Sequence, residues 1–145
     1  MDPLSVTASG IALVTLGAQI VSILHNTVEC LIEAPEALSD LLSRTRSLHI
    51  MLQRLDKCRD RLDADRKQTL GGMWDESRCR ATVETLHRLV LKIAAKKGES
   101  FRDSEAKGVL PRVQWVLQRS TAEKLAERLQ IHKQDIISAL VMLSL

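Results

Sequence analysis

Four histidines and three cysteines are the side chains of this sequence that could ligate a metal ion or act as nucleophiles. The histidines are widely separated along the chain, at His25, His49, His87 and His132. None has a second histidine or cysteine three or four residues away, the spacing that places two ligands on one face of a helix. We therefore expect no metal ion and no catalytic histidine.

The cysteines, Cys30, Cys58 and Cys79, are odd in number and widely spaced. This pattern fits neither a disulfide framework nor a zinc site, and it is typical of a reducing compartment such as the cytoplasm. Cys79 begins a series of apolar residues at helical spacing, which predicts a small core side chain. Cys58 lies among charged residues, and we expect it near the surface.

Other classes of function also lack their sequence signatures. Gly71-Gly72 has the composition of a turn rather than of a phosphate-binding loop. The acidic residues from Asp56 to Asp65 are spaced by basic ones, which is typical of a solvated helix face. With Trp74, Trp115 and Phe101 as its aromatic residues, the sequence has no stacking surface for nucleic acid. We expect no enzymatic activity, no cofactor and no nucleic-acid partner.

The composition predicts an all-α fold. Three prolines and six glycines leave long segments without breakers, and 45% of the residues are hydrophobic. No segment alternates polar and apolar residues as a half-buried strand does. We predict a single domain over residues 1–145, a four-to-five-helix up-down bundle with a hydrophobic N-terminal helix. Because the sequence stops at Leu145 while still apolar, we expect it to be the N-terminal part of a longer protein.

Breakers and capping residues predict the first two helices. Asp2-Pro3 begins the first, which could run to Glu33 before Pro35. The second extends from Glu36 to about Gln68 and is ended by Gly71-Gly72. Its apolar residues recur at helical spacing: Leu38, Leu41, Leu42, Leu48, Leu52, Leu55 and Leu62. Its charged face contains two pairs at i,i+4 spacing: Asp40–Arg44 and Asp63–Lys67.

Two further helices follow, with Trp74 and Trp115 beside turns, where they would close the bundle core or, alternatively, anchor at a lipid interface. The third helix begins near Asp75 or Ser77 and stops at Lys96-Lys97-Gly98. Residues 98–119 are expected to be a polar connection with at most a helical turn at 113–117. The fourth helix begins with the capping box Ser120–Glu123. The apolar positions of the two helices are Cys79, Val83, Leu86, Leu89, Val90 and Ile93, and then Leu125, Leu129, Ile136, Leu140 and Leu143.

The segment from Leu4 to Leu24 contains neither a charge nor a proline. As a helix of 21 residues it would be about 31 Å long, close to the thickness of the hydrocarbon core of a bilayer. Its aliphatic residues contribute roughly −3 to −6 kcal/mol to insertion, which serine, threonine and glutamine residues offset in part. The segment is therefore a marginal inserter. If the segment enters a membrane, these aliphatic residues would insert: Leu4, Val6, Ile11, Leu13, Val14, Leu16, Ile20, Val21, Ile23 and Leu24.

A second face of this helix is small, polar and uncharged. Its residues follow one another at steps of three and four: Ser5, Ser9, Ala12, Thr15, Gln19 and Ser22. Gly10 and Gly17 lie among the apolar residues, where they would let another helix approach closely. In a bundle the polar stripe can meet water, and in a membrane it can form hydrogen bonds between helices. A buried core helix without a membrane role also fits, although folding does not require the absence of charge from Pro3 to Val28.

The charge of the chain is uneven. Residues 92–133 contain ten lysine and arginine residues against five acidic ones, within a net charge of +3. This excess predicts either attraction to anionic lipid or an acidic partner, or an ordinary solvated surface.

Several segments resemble a known family. Met1-Asp-Pro-Leu-Ser-Val-Thr-Ala-Ser9 and Ile11-Ala-Leu-Val14 resemble the start of the HeLo-like N-terminal domains of fungal NLR-like (STAND) receptors. Cys79–Leu86 resembles the leucine-rich third helix of that family. Val113-Gln-Trp115, Glu123–Leu129 and His132-Lys133 resemble its closing helix.

The resemblance implies a helical bundle that acts in programmed cell death and fungal innate immunity. Oligomerisation would release the N-terminal helix, here Leu4 to Leu24, and the plasma membrane would be permeabilised. We therefore expect a cytoplasmic domain that self-associates and relocates to the plasma membrane, with receptor domains downstream in the same chain. The alternative is an adaptor domain of such a receptor that binds other proteins and has no membrane activity.

Overall fold

The computed structural model describes residues 3–29, 36–100 and 110–143, with side chains for 12–29, 36–94 and 119–143. These residues form five α-helices and contain no strand, so the predicted all-α fold is confirmed. The helices are α1 (Pro3–Glu29), α2 (Glu36–Arg59), α3 (Ala64–Met73), α4 (Glu76–Ser100) and α5 (Leu110–Met142). Residues 30–35, which include the predicted boundary at Pro35 and the extension to Glu33, lie outside the described residues.

The four long helices pack as a bundle around one apolar core. α1 lies against α2 and α4, α5 lies against the same two helices, and α3 contacts α5. The predicted apolar positions of α2 are all buried, as are Cys79, Val83, Leu86, Leu89 and Val90 of α4. Burial of these aliphatic side chains is the main source of stability, because each removes apolar surface from water.

The predicted second helix is interrupted, which corrects the expectation of one helix to about Gln68. Two turn hydrogen bonds end α2, from Arg61 N to the Cys58 carbonyl and from Leu62 N to the Arg59 carbonyl. Asp63 then caps α3, because its carboxylate accepts a 2.8 Å hydrogen bond from the backbone N–H of Arg66. The predicted Asp63–Lys67 side-chain pair is therefore replaced by a cap, whereas the Asp40–Arg44 pair is present at 2.9 Å.

Gly71 and Gly72 lie inside α3 and do not end it, contrary to the prediction. The helix ends at Met73 because Trp74 turns into the core with extended dihedral angles, φ −134° and ψ 123°. Trp74 is 4% exposed, and the guanidinium of Arg59 lies 5.8 Å from the centre of its ring. Arg59 also contacts Glu76 at 3.4 Å, so one cation joins α2 to the start of α4.

α4 begins as predicted near Asp75, whose carboxylate accepts a 3.1 Å hydrogen bond from the backbone N–H of Arg78. It does not stop at Lys96-Lys97-Gly98 but continues to Ser100. One glycine lowers the stability of a helix by only about 1 kcal/mol relative to alanine, which is too little to end a helix of this length.

α5 corrects the two remaining boundaries. The segment predicted as a polar connection is helical from Leu110, and Ser120–Glu123 lies inside α5 rather than at its start. Pro111 is compatible with this arrangement, because the first turn of a helix has no internal partner for its N–H groups. Ala122 and Leu125 are buried, so tertiary packing holds this part of the helix against its neighbours.

Replacing Gly71 and Gly72 with alanine should raise the free energy of unfolding by about 0.5–1 kcal/mol for each site, because alanine favours the helix. No atom lies within 4 Å of a Cβ added at either position, so no contact opposes the change. Urea denaturation of the two single variants measures the effect. A loss of stability at both sites would contradict a continuous α3.

Candidate functional site

The N-terminal helix α1 presents one face to the bundle core. Along the part of α1 with described side chains, the buried residues recur at steps of three and four: Leu13, Gly17, Ile20, Leu24 and Thr27. The hydroxyl of Thr27 donates to the Ile23 carbonyl at 2.7 Å, which satisfies this polar group inside the core. Flanking aliphatic residues are half-buried and pack against the core: Val14, Leu16, Val21, Ile23 and Val28.

The opposite face of α1 is exposed to solvent and uncharged. The structure places Ala12, Thr15, Gln19 and Ser22 at the surface, together with Ala18 and Asn26. Glu29, the last residue of α1, is the helix's one acidic residue, and the helix has no lysine or arginine. The side chains of Leu4, Ser5, Val6, Ser9, Gly10 and Ile11, which the sequence also pointed to, lie outside the described residues.

α1 approaches α2 closely at Gly17. A Cβ added at Gly17 would lie 3.1 Å from Cδ2 of His49, closer than most real Cβ contacts. A side chain at position 17 would therefore require the imidazole of His49 to shift by a few tenths of an ångström. Its Nε2 atom is buried and has no hydrogen-bond partner among the described residues. The sequence predicted Gly17 as a close-packing residue. It gave no sign that His49 would be its neighbour, because no spacing pattern connects the two positions.

His25 forms a second contact between α1 and α2. Its Nδ1 atom lies 2.9 Å from Nη2 of Arg46, and its Nε2 atom lies 3.1 Å from a carboxylate oxygen of Glu29. Because arginine can only donate, Nδ1 must accept, and Nε2 then carries the proton that is donated to Glu29. All three side chains are at least partly exposed, so these contacts contribute little to stability.

The cysteines and the tryptophan with described side chains are buried or half-buried and show no sign of a chemical role. Burial raises the pKa of the Cys79 thiol to about 12, which keeps it protonated and unreactive, and the nearby carboxylate of Glu76 acts in the same direction. Cys58 is half-buried at the end of α2. Trp74 is a core residue, and its placement does not fit the alternative of a lipid-interface anchor. Among described side chains, no three potential metal ligands come together.

His132 joins α5 to α4. Its Nε2 atom lies 2.9 Å from the hydroxyl of Thr82, and both side chains are buried. Burial lowers the pKa of His132, and the neighbouring carboxylate of Asp135 opposes this effect only in part. The imidazole is therefore held neutral as a packing and hydrogen-bonding group.

No helix in the described part of the chain combines the length and apolar character needed to cross a membrane. Residues 1–108 match the family described as pigment biosynthesis cluster protein PigL N-terminal. No curated protein and no solved structure gives a significant match to the chain.

The lowered pKa of His132 predicts a loss of stability in acid. The unfolded state binds a proton near the ordinary value of 6.5, whereas the folded state resists it, so the free energy of unfolding should fall as the pH decreases below about 6.5. Urea denaturation at several pH values measures this slope, and His132→Gln should flatten it. Equal slopes in the wild type and the variant would contradict the prediction.

Proposed function

The chain belongs to the PigL N-terminal family, a fungal domain family related to the HeLo-like domains, and we propose that it is a membrane-permeabilising cell-death domain. In this proposal it is the N-terminal domain of an NLR-like receptor. Oligomerisation releases α1 from a cytoplasmic bundle, and α1 then enters the plasma membrane.

The observation that carries the proposal is the charge distribution over the helices. α1 has no lysine or arginine and a single acidic residue at its end, whereas α2, α4 and α5 carry charges along their exposed faces. A charged side chain at the centre of a bilayer costs about 2.5–3.5 kcal/mol on the insertion scale. Among the described helices, α1 can therefore enter a bilayer without placing a charged side chain at its centre.

Release of α1 has a free-energy cost that keeps the resting domain closed. Leu13, Ile20 and Leu24 are at most 2% exposed, and returning them to water would cost about 1.5–3 kcal/mol each. The sum approaches the whole stability of a typical domain, about 5–15 kcal/mol. Lipid removes most of this cost because its acyl chains are as apolar as the core. The closed bundle is therefore stable in water and less favoured at a membrane.

The exposed face of α1 fits a group of inserted helices better than a single one. Thr15, Gln19 and Ser22 would meet acyl chains in a lone helix, whereas in an assembly they can form hydrogen bonds between helices. Because α1 is only a marginal inserter, we propose that several copies enter together. The basic residues of 92–133, including the exposed Lys92, Lys124 and Arg128, would attract anionic lipid before insertion.

Locking α1 to α2 tests whether it must leave the bundle. A Cβ at position 17 would lie 3.8 Å from the Cβ of His49, the mean separation in disulfides. The pair Gly17→Cys and His49→Cys, in a Cys30→Ser and Cys58→Ser background, should form a disulfide. Oxidised protein, clustered through an inducible C-terminal fusion, should release little dye from phosphatidylserine-containing vesicles, and reduction should restore the leakage.

The reduced double variant and the single variant Gly17→Cys control for changes in folding. Equal leakage from the oxidised and reduced forms would reject the release of α1. Absence of leakage from the clustered wild type would reject permeabilisation altogether and leave the adaptor alternative.

Gln19→Lys should reduce leakage by at least about tenfold, because the added charge costs about 2.5–3.5 kcal/mol on insertion. Gln19 is exposed, so the resting bundle should keep its unfolding free energy within about 0.5 kcal/mol. The matched control is Gln53→Lys, at an exposed position of α2. Equal leakage from both variants would contradict a membrane role for the exposed face of α1.

A further inference from the structure

A groove of about 210 Å³ lies between α2 and α5. Its floor consists of three alanines, which are small enough to leave an open space: Ala37, Ala122 and Ala126. Its rim consists of four charged residues: Asp40, Arg44, Glu123 and Glu127. Asp40 is paired with Arg44 at 2.9 Å, and Glu123 is paired with Arg119 at 3.0 Å. Glu127 has no ion-pair partner among the described residues, so the groove is apolar below and acidic at its edge.

α4 carries an exposed apolar side chain with basic residues near it. Leu91 is 45% exposed, which makes it one of the few large apolar side chains at the described surface. Arg88 lies one turn before Leu91, Lys92 follows Leu91 on the same side of the helix as Arg88, and Glu84 lies one turn before Arg88. All three charged residues are exposed. We name Glu84, Arg88, Leu91 and Lys92 the α4 knob.

The groove and the α4 knob are complementary in both polarity and charge. An apolar side chain with two cations on one side matches a floor of alanines with Glu127, unpaired among the described residues, at its edge. The arrangement of charges also matches in sign, because Arg44 on the rim can meet Glu84 while Glu127 meets Arg88. Charge complementarity of this kind fixes orientation and register between two surfaces.

We propose that the α4 knob of one copy of this chain docks in the α2–α5 groove of another, with Leu91 on the alanine floor and Arg88 beside Glu127. This inference rests on the proposed function, since it supplies the interface for the oligomerisation that releases α1. The two surfaces are different patches of the same molecule. The contact is therefore heterologous, and each added copy presents a fresh groove or a fresh knob. Assembly continues beyond a dimer unless the rotation between copies closes a ring.

Reversing the sign of one charged residue on each surface, singly and together, tests the proposal. Sedimentation velocity at low ionic strength, over a range of protein concentrations, should show wild-type association that weakens as salt is added. Glu127→Arg and Arg88→Glu should each lower the association constant by roughly tenfold, because like charges then face each other. The double variant should restore association, since the pair has the same attraction with its signs exchanged.

Restoration in the double variant excludes misfolding as the cause of the single losses. Asp65→Arg and Lys67→Glu, at exposed positions of α3 outside both surfaces, are matched controls and should associate as the wild type does. Association that is unchanged in the single variants, or not restored in the double variant, would overturn the proposed interface.

Dye release from vesicles by the same variants separates this inference from the proposed function. If association follows the charges but no variant causes leakage, the interface stands and the membrane role fails. If the wild type causes leakage and the single variants match it in both leakage and association, the interface fails and the membrane role stands.

Discussion

The close approach of α1 to α2 at Gly17 is the contact on which the rest of the structure depends. Because position 17 has no side chain, the imidazole of His49 can lie against the α1 backbone, and the flanking residues Leu13, Ile20 and Leu24 reach the core. Protein interiors are packed as densely as organic crystals, so a larger residue at this position must displace its neighbour. A helix whose only charged residue is Glu29 at its end is thus held largely by shape and apolar burial, together with the polar contact between His25 and Arg46.

This mode of attachment supports the proposed release of α1 into a membrane. Contacts made by apolar burial are non-directional, and lipid can replace them at little cost. Ion pairs and hydrogen bonds, in contrast, would be lost without replacement in a bilayer. Two arginine ion pairs of the bundle lie outside α1: Arg59 with Glu76 joins α2 to α4, and Asp40 with Arg44 lies within α2. α1 therefore packs on its neighbours mainly through apolar contacts that lipid can replace, whereas the Arg59–Glu76 ion pair has no such replacement in a bilayer.

At the end of the bundle near α3, polar side chains cover the apolar core and cap the helices. Trp74 is buried under the guanidinium of Arg59, which also reaches Glu76. Asp63 caps α3, and Asp75 caps α4. Capping carboxylates satisfy backbone N–H groups that the first turn of a helix leaves without internal partners. These short-range contacts fix where α2 ends and where α4 begins.

The sequence by itself determined the all-α class and the residues of the core, because leucine spacing repeats with the period of the helix wherever a face must be buried. It also identified the uncharged stripe of α1 and the start of α4 near Asp75. Tertiary structure decided the break before Asp63, the continuation of α3 through Gly71-Gly72 and the start of α5 at Leu110. α3 runs through its two glycines to the buried Trp74, although glycine favours a helix end. α5 runs through Ser120–Glu123, where Ala122 is buried, although this segment resembles a capping box. Contacts such as Gly17 with His49 join residues far apart in sequence, and only the packing of helices brings them together.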